Sequence, residues 1–218
     1  MAGSYDSLIR RSVPRYDEMA DRLVDYLPRD SVRVLELGCG TGNLSLRLAA
    51  NLPNASFSLV DGSSEMVALT RSRLDQARVP GTARDEFITA RFEDLTLPAR
   101  SFDLVVSSIS LHHVENKGAL YERIHALLRP GGRFCFADQV RGEPESNHQL
   151  NWRRWLDFCA EPGHCSPEEI QSLLDHAAAH DHYTTPSDHF ALLSRAGFSQ
   201  IDCVWRNLMW GIVTTTAA

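Results

Sequence analysis

The sequence predicts a doubly wound α/β fold, and three observations carry that expectation. A strand pattern at Val32, Val34, Leu35 and Leu37 runs into glycines at alternate positions, Gly38, Gly40 and Gly42, and helical periodicity resumes at Leu44, Leu46 and Leu48. From Ser31 onward strand and helix patterns alternate, the order that builds a parallel sheet covered on both faces. The segment Phe102–Ser107 is continuously apolar in its middle, as a strand buried on both faces requires.

Seven strands are expected, near 32–37, 57–61, 87–90, 102–107, 132–138, 201–206 and 208–214, with an antiparallel C-terminal strand. Residues 1–30 read as an N-terminal helical cap, 31–140 as the core, 141–185 as a helical lid insertion, and 186–218 as a final helix and strand pair, all within one domain. At 218 residues the chain is ample for a sizeable core. Its 43% hydrophobic and 23% charged content is ordinary for a globular protein. A net charge of −6 argues against bulk adhesion to nucleic acid or anionic membrane. The five cysteines form no Cys-x-x-Cys pair, which fits a reducing cytoplasm. No apolar run approaches the roughly 20 residues that cross a bilayer, and the N-terminus lacks the order of a signal peptide.

In the cap, Tyr5, Leu8 and Ile9 form one apolar stripe. Met19, Leu23, Val24, Tyr26 and Leu27 form a second, separated from the first by Pro14 and closed by Pro28. These stripes are expected to cover the sheet edge.

The loop Val34–Gly42, VLELGCGTG, is the candidate ligand site. Glycines there permit backbone conformations that a Cβ blocks and let a ligand approach the main chain. A dinucleotide fingerprint would need its third glycine where Asn43 stands, and no Gly-Lys-Ser/Thr follows to cradle phosphates. Glu36 and Asp61 add acceptors that suit ribose hydroxyls and an ammonium group but repel a pyrophosphate.

Glu-Leu-Gly-Cys-Gly-Thr-Gly, at 36–42, resembles the first motif of the class I S-adenosylmethionine (SAM) dependent methyltransferases. The resemblance implies a Rossmann-like fold with SAM as cofactor, bound by Glu36, Gly38, Cys39, Gly40 and Gly42. It also implies that Asp61, followed by Gly62, takes the ribose hydroxyls. Arg11-Ser12-Val13-Pro14-Arg15-Tyr16 is similar to a segment of the tRNA wobble-uridine carboxymethyltransferases whose terminal tyrosine contacts the cofactor, a role that passes to Tyr16.

After the third strand, Arg91-Phe92-Glu93 stands where relatives place an Asp and an apolar residue against adenine. Phe92 keeps the ring contact, Arg91 forfeits the carboxylate hydrogen bond, and Glu93 is the candidate substitute. Ser107 and Ser108, ending the fourth strand, correspond to groups set against the methionine portion of SAM. Leu111-His112-His113 resembles the family's Leu-His-His variant. His112 and His113 are candidate general bases, since imidazole titrates near neutral pH. Consecutive side chains on a turn seldom face one way, so at most one is expected to see the pocket. A helix at Ala119–Leu128 ends in Arg129-Pro130-Gly131-Gly132, a stop and turn signal. Asp138, closing the fifth strand, is a third catalytic candidate.

The insertion presents Leu150, Trp152, Trp155, Leu156 and Phe158 as an aromatic helical face, and Ser166-Pro167-Glu168-Glu169 as a capping box opening a second helix. Trp152 and Trp155 are candidate substrate contacts of a lid, a satellite core or a dimer surface being the alternative. His176, His180 and His182 with Asp181 raise a metal question. No His-Glu-x-x-His pattern is present, so a solvated helix end is favoured and no metal is expected. Thr185-Pro186 opens the last helix, Gly197 stops it, and two strands follow around Asn207.

The wobble-uridine likeness spans most of the chain, with one departure. Those enzymes hold the additional carboxylate of carboxy-SAM with a lid arginine, and here Leu174 occupies that position. Plain SAM is therefore expected. The function expected is methyl transfer from SAM to a small-molecule acceptor, in the cytoplasm, in a possible homodimer. The alternatives are a tRNA wobble-uridine modifying enzyme and a non-catalytic SAM-binding protein.

Overall fold

The structure, a computed structural model, describes residues 2–31, 33–77 and 85–218. Val32, assigned to the first strand from sequence, lies outside the described residues. The strands are β1 (Arg33–Leu37), β2 (Ser56–Asp61), β3 (Glu86–Thr89), β4 (Phe102–Ser108), β5 (Leu128–Gln139), β6 (Phe198–Asn207) and β7 (Trp210–Ala217). They form one sheet in the order β3-β2-β1-β4-β5-β7-β6. The first five are parallel, and β7 runs antiparallel to both β5 and β6. The strand order reverses beside β1, between β2 and β4, and open parallel sheets bind ligands at such a point.

Helices cover both faces: α1 (Ala2–Ser12), α2 (Tyr16–Asp25), α3 (Asn43–Asn51), α4 (Ser64–Ala77), α5 (Lys117–Leu127), α6 (Glu145–Cys159), α7 (Pro167–His180) and α8 (Pro186–Arg195). Alternate residues along each central strand feed opposite faces, the period-two rule of a strand. Val34, Leu104, Val106, Cys135 and Ala137 join Met19, Leu23, Leu48, Trp155 and Trp210 in one core. Leu35, Leu37, Val105, Phe134 and Phe136 join Tyr121, Ile124 and Leu193 in the other. Each fully buried Val, Leu, Ile, Phe or Met among these contributes about 1.5–3 kcal/mol over its exposed state.

Helix starts follow the expected chemistry. Ser166 Oγ accepts from Glu169 N at 3.2 Å while Ser166 N donates to Glu169 Oε2 at 2.8 Å, completing the capping box of α7. Thr185 caps α8 through Asp188 N at 3.1 Å. Boundaries moved most at the Arg129-Pro130-Gly131-Gly132 turn. There β5 begins already at Leu128, and an irregularity in its pairing with β4 between Phe102 and Leu104 absorbs the glycines. The final hairpin turns at Leu208–Met209, one residue beyond the expected Asn207.

Candidate functional site

The glycine loop leaves β1 with Gly38 N and Cys39 N both donating to Val60 O, at 2.8 and 3.0 Å. Gly38 has φ +75°, and a Cβ there would stand 2.4 Å from Ser110 Cβ and Oγ, so close packing against the end of β4 demands glycine. Asp61 Oδ2 accepts from Gly40 N and its Oδ1 from Ser63 N, each at 2.9 Å, which ties the loop to the end of β2. Asp6 of α1 accepts from Thr41 Oγ1 at 2.5 Å, Asn43 Nδ2 at 2.9 Å and Arg73 at 3.0 Å. The helical cap is thereby fastened onto the loop.

Two cavities open at this sheet edge. The first, about 450 Å³, is walled by Tyr16, Glu36, Gly38, Cys39, Gly40, Asp61 and Ser108, together with Tyr5 and Ile9 of the cap. It continues past Gly38 and Asp61 into a recess of about 260 Å³ lined by Gly62, Arg91, Phe92 and Glu93. Glu36 is almost wholly buried and accepts from Ser45 Oγ at 2.6 Å. Burial pushes its carboxyl up to about 8; the Ser45 hydrogen bond opposes the rise and the charge of Asp61 adds to it.

The second cavity, about 220 Å³, lies under the lid between Val13, Trp155, Leu173, Tyr183, His112 and Asp181. It shares Tyr5, Ile9, Ile109, His113 and His176 with the first, so the two are adjoining chambers. At their common wall Ile109 holds φ +51°, a strained conformation for a β-branched residue.

Asp138 organises the turn after β4. Its Oδ2 accepts from Ser110, Leu111 and His112 backbone N–H groups at 3.2, 2.6 and 3.3 Å, and its Oδ1 from Gln139 N at 2.7 Å and His112 Nδ1 at 2.5 Å. Burial alone would raise this carboxyl, but His112 and the backbone donors outweigh it and hold Asp138 below its ordinary range. Burial likewise opposes charge on His112, and the Asp138 carboxylate overrides it, raising the imidazole. The tight 3₁₀ turn Leu111–His113 that results brings the two imidazoles to 4.0 Å between centroids.

The lid is stitched to this turn and to the cap. His182 N donates to His112 O at 2.7 Å, and Lys117 Nζ donates to the carbonyls of Val114 and His182. Arg11 grips Glu169 through paired contacts of 2.7 and 2.8 Å and also donates to His164 O. Trp155 Nε1 donates to Ser12 O at 2.8 Å.

Of the residues singled out from sequence, Tyr16, Glu36, Gly38, Cys39, Gly40, Asp61 and Ser108 line the first cavity and Gly62, Phe92 and Glu93 its recess. Gly42 acts at one remove: at φ +86° it closes the turn against Thr70. Ser107 lines neither chamber; it is fully buried, its hydroxyl donating to Leu37 O and paired with Ser110 Oγ. Asp138, expected at the acceptor side, is 1% exposed and acts only through His112 and the turn. Trp152 is likewise displaced, half-buried and packed edge-on to Trp155, which alone of the pair reaches the second cavity. The expectation that at most one histidine sees the pocket is overturned. Both His112 and His113 line the second cavity, because Asp138 winds their turn tightly enough to point both inward. The histidines ending α7 divide: His180 and His182 are exposed as expected, while His176 lines both chambers. Sequence reasoning missed Tyr5, Ile9, Ile109, Ser110 and Tyr183. The first two carried only a helical stripe, and such a stripe does not distinguish a cavity wall from a sheet cover.

Comparison with known proteins follows the same lines. A family model described as a methyltransferase domain matches residues 34–132. The carboxy-S-adenosyl-L-methionine synthase of Shewanella sediminis is 30% identical over 213 residues, covering 94% of this chain and 85% of that protein. The malonyl-[acyl-carrier protein] O-methyltransferase of Magnetococcus marinus is 33% identical over 147 residues, covering 67% of this chain and half (50%) of that longer protein. Among solved structures, an S-adenosylmethionine-dependent methyltransferase from Mesorhizobium loti aligns with a TM-score of 0.62 at 22% identity, covering 90% of this chain and 96% of that one. Human N-acetylserotonin methyltransferase, solved with SAM, aligns at 0.63 and 17% identity, covering 91% and 51%. These structural likenesses speak to fold.

Proposed function

This chain belongs to the class I S-adenosylmethionine-dependent methyltransferases, and from that premise we propose that its acceptor is a small molecule held in the second cavity. The donor is SAM, seated in the first cavity with its adenine in the Phe92 recess and its ribose toward Asp61. The observation that carries the reading is the shared wall. A chamber of about 220 Å³, closed by Trp155, Leu173 and Tyr183, adjoins the donor chamber at Ile109, His113 and His176. That volume suits a metabolite, and a net charge of −6 disfavours bulk electrostatic adhesion to tRNA. No membrane-crossing helix is present among the described residues.

Methyl transfer from a sulfonium is an in-line displacement whose leaving group already carries positive charge. Orientation is the protein's main contribution, worth up to about 7–11 kcal/mol in favourable cases. The Asp138-oriented His112 and the neighbouring His113 line the acceptor chamber, placed to act on the acceptor heteroatom. The test is transfer of labelled methyl from SAM into a metabolite extract and, in parallel, into tRNA. Label in a small molecule is expected, and label in tRNA alone would overturn the assignment.

The likeness to carboxy-SAM synthase along 94% of the chain supports a second reading, in which the bound or released nucleoside is carboxy-SAM. Against it, Leu174 stands at the lid position, and outside the adenine recess, where Arg91 stands, no lysine or arginine among the described residues lines either chamber to receive the additional carboxylate. Mass spectrometry of ligand released from purified protein separates the two. Five free cysteines favour a reducing, cytoplasmic setting, and exposed Leu150 on α6 favours a homodimer, which sedimentation would test.

A further inference from the structure

Asp181, just past the end of α7, has a side chain only 5% exposed. Its Oδ2 accepts from the Tyr183 hydroxyl at 2.6 Å, which fixes the carboxylate. Its Oδ1 is buried with no hydrogen-bond partner among the described residues, and a buried carboxylate oxygen left in that condition is costly. Three imidazoles surround that oxygen: His113 Nδ1 at 3.3 Å, His112 Nε2 at 3.8 Å and His176 Nε2 at 4.0 Å. His112 gives its Nδ1–H to Asp138, which leaves Nε2, the atom facing Asp181, as the one this ring can offer a cation. That nitrogen and the buried carboxylate oxygen converge on one point that a cation can take in place of a proton.

Ligand atoms of His112, His113 and Asp181 all lie within 4.8 Å of one another. Around a tetrahedral zinc with bonds of about 2.0–2.1 Å, ligand atoms stand about 3.4 Å apart, so small side-chain movements suffice. The outer contacts are those of a built centre. A ligating imidazole characteristically gives its other N–H to a carboxylate, as His112 does to Asp138, and a ligating carboxylate is itself hydrogen-bonded, as Asp181 is by Tyr183.

We propose that His112, His113 and Asp181 bind one first-row divalent cation, with zinc as the probe, and that the cation coordinates the acceptor heteroatom. The inference deepens the methyltransferase reading and rests on it for the acceptor step alone. Two histidines and one carboxylate leave coordination positions for an exogenous oxygen, sulfur or nitrogen. An acceptor O–H or S–H coordinated there releases its proton to solvent through the exposed side of the cavity, where His176 stands. The resulting anion attacks the methyl carbon. A bond forms from heteroatom to carbon as the carbon–sulfur bond breaks, and its electron pair stays on sulfur to give the neutral thioether.

The experiment uses the untagged full-length chain, stripped with chelator and titrated with zinc by calorimetry, with cobalt(II) absorption as a second reading on the wild-type protein. One equivalent of zinc is expected to bind with a dissociation constant of about 1 μM or tighter. Cobalt(II) should develop the visible bands of a low-coordinate nitrogen and oxygen site. Asp181→Asn should weaken zinc at least tenfold while SAM binding, measured on the same preparation, is unchanged; His113→Ala should abolish the cobalt bands; His180→Ala, altering only an exposed neighbour, should change neither. Absence of stoichiometric zinc uptake, or uptake undiminished in Asp181→Asn, would overturn the site. Full methyl transfer by the stripped protein would overturn the metal's role and leave the methyltransferase reading standing. Zinc bound without any transfer to a small molecule would have the opposite meaning.

Discussion

The indole N–H of Trp155 in the lid donates to the backbone carbonyl of Ser12 at the end of the first helix, 2.8 Å away and out of contact with water. This bond, with a longer contact from Cys159 Sγ to the same carbonyl, joins the two elements that roof the second cavity. Trp155→Phe keeps an aromatic ring in place but removes the donor, and the Ser12 carbonyl loses its strongest partner. The expected loss is about 1–3 kcal/mol, read as a lowered urea midpoint at unchanged slope.

At the other end of the donor chamber, Asp61 accepts two backbone N–H groups and closes the loop that holds Gly40. Asp61→Ala removes both anchors and, with them, the proposed ribose acceptor. SAM affinity should fall at least tenfold, about 1.4 kcal/mol, by calorimetry. Unchanged affinity would take Asp61 out of the site.

Gly38→Ala places a methyl group 2.4 Å from Ser110 Cβ at a positive φ. Strain and overlap together should cost about 1–3 kcal/mol of stability and abolish SAM binding. Adding Ser110→Gly removes the collision and leaves the backbone strain. The double variant should recover part of the lost thermal stability, whereas no recovery would mean that the packing account of Gly38 is wrong.

Glu36 has its folded pKa pushed up to about 8 by burial, above the value of 4.5 for a free carboxyl. The folded state therefore binds the proton more tightly than the unfolded chain across that interval. Its contribution to stability is fully present below pH 4.5 and is lost as the pH rises through 8. The slope from this group is at most about 1.4 kcal/mol per pH unit. Glu36→Gln should flatten that part of the stability profile and gain on the wild type above pH 8, by denaturation at matched ionic strength. A wild-type slope that persists in the variant would assign it to another group.

What the sequence could disclose depended on whether the signal was local. Gly38, Gly40 and Gly42 were legible because each takes a positive φ that side chains resist, and Asp61 because it closes a strand at the ligand edge. The sheet was legible because Val34 and Leu35, or Phe134 and Cys135, must feed opposite cores. Asp138 misled because its partners are backbone amides at 110–112, distant in sequence and silent in composition. Trp152 and Trp155 stand one helical turn apart on one face, and only the carbonyl of Ser12, contributed by another helix, decides which of them faces the cavity. The convergence of His113, His176 and Asp181 was hidden for the same reason, since it arises only when α7 folds back over the turn after β4.

The lid is fastened near both ends of α7, by the Arg11 clasp on Glu169 at its first turn and by the His182 amide on His112 just past its last. Any swing of the lid away from the inner chamber must break one of these fastenings. The first is ionic and lies at the surface, so added salt should loosen it more than the amide contact. Turnover would quicken with ionic strength wherever departure of the methylated product sets the pace.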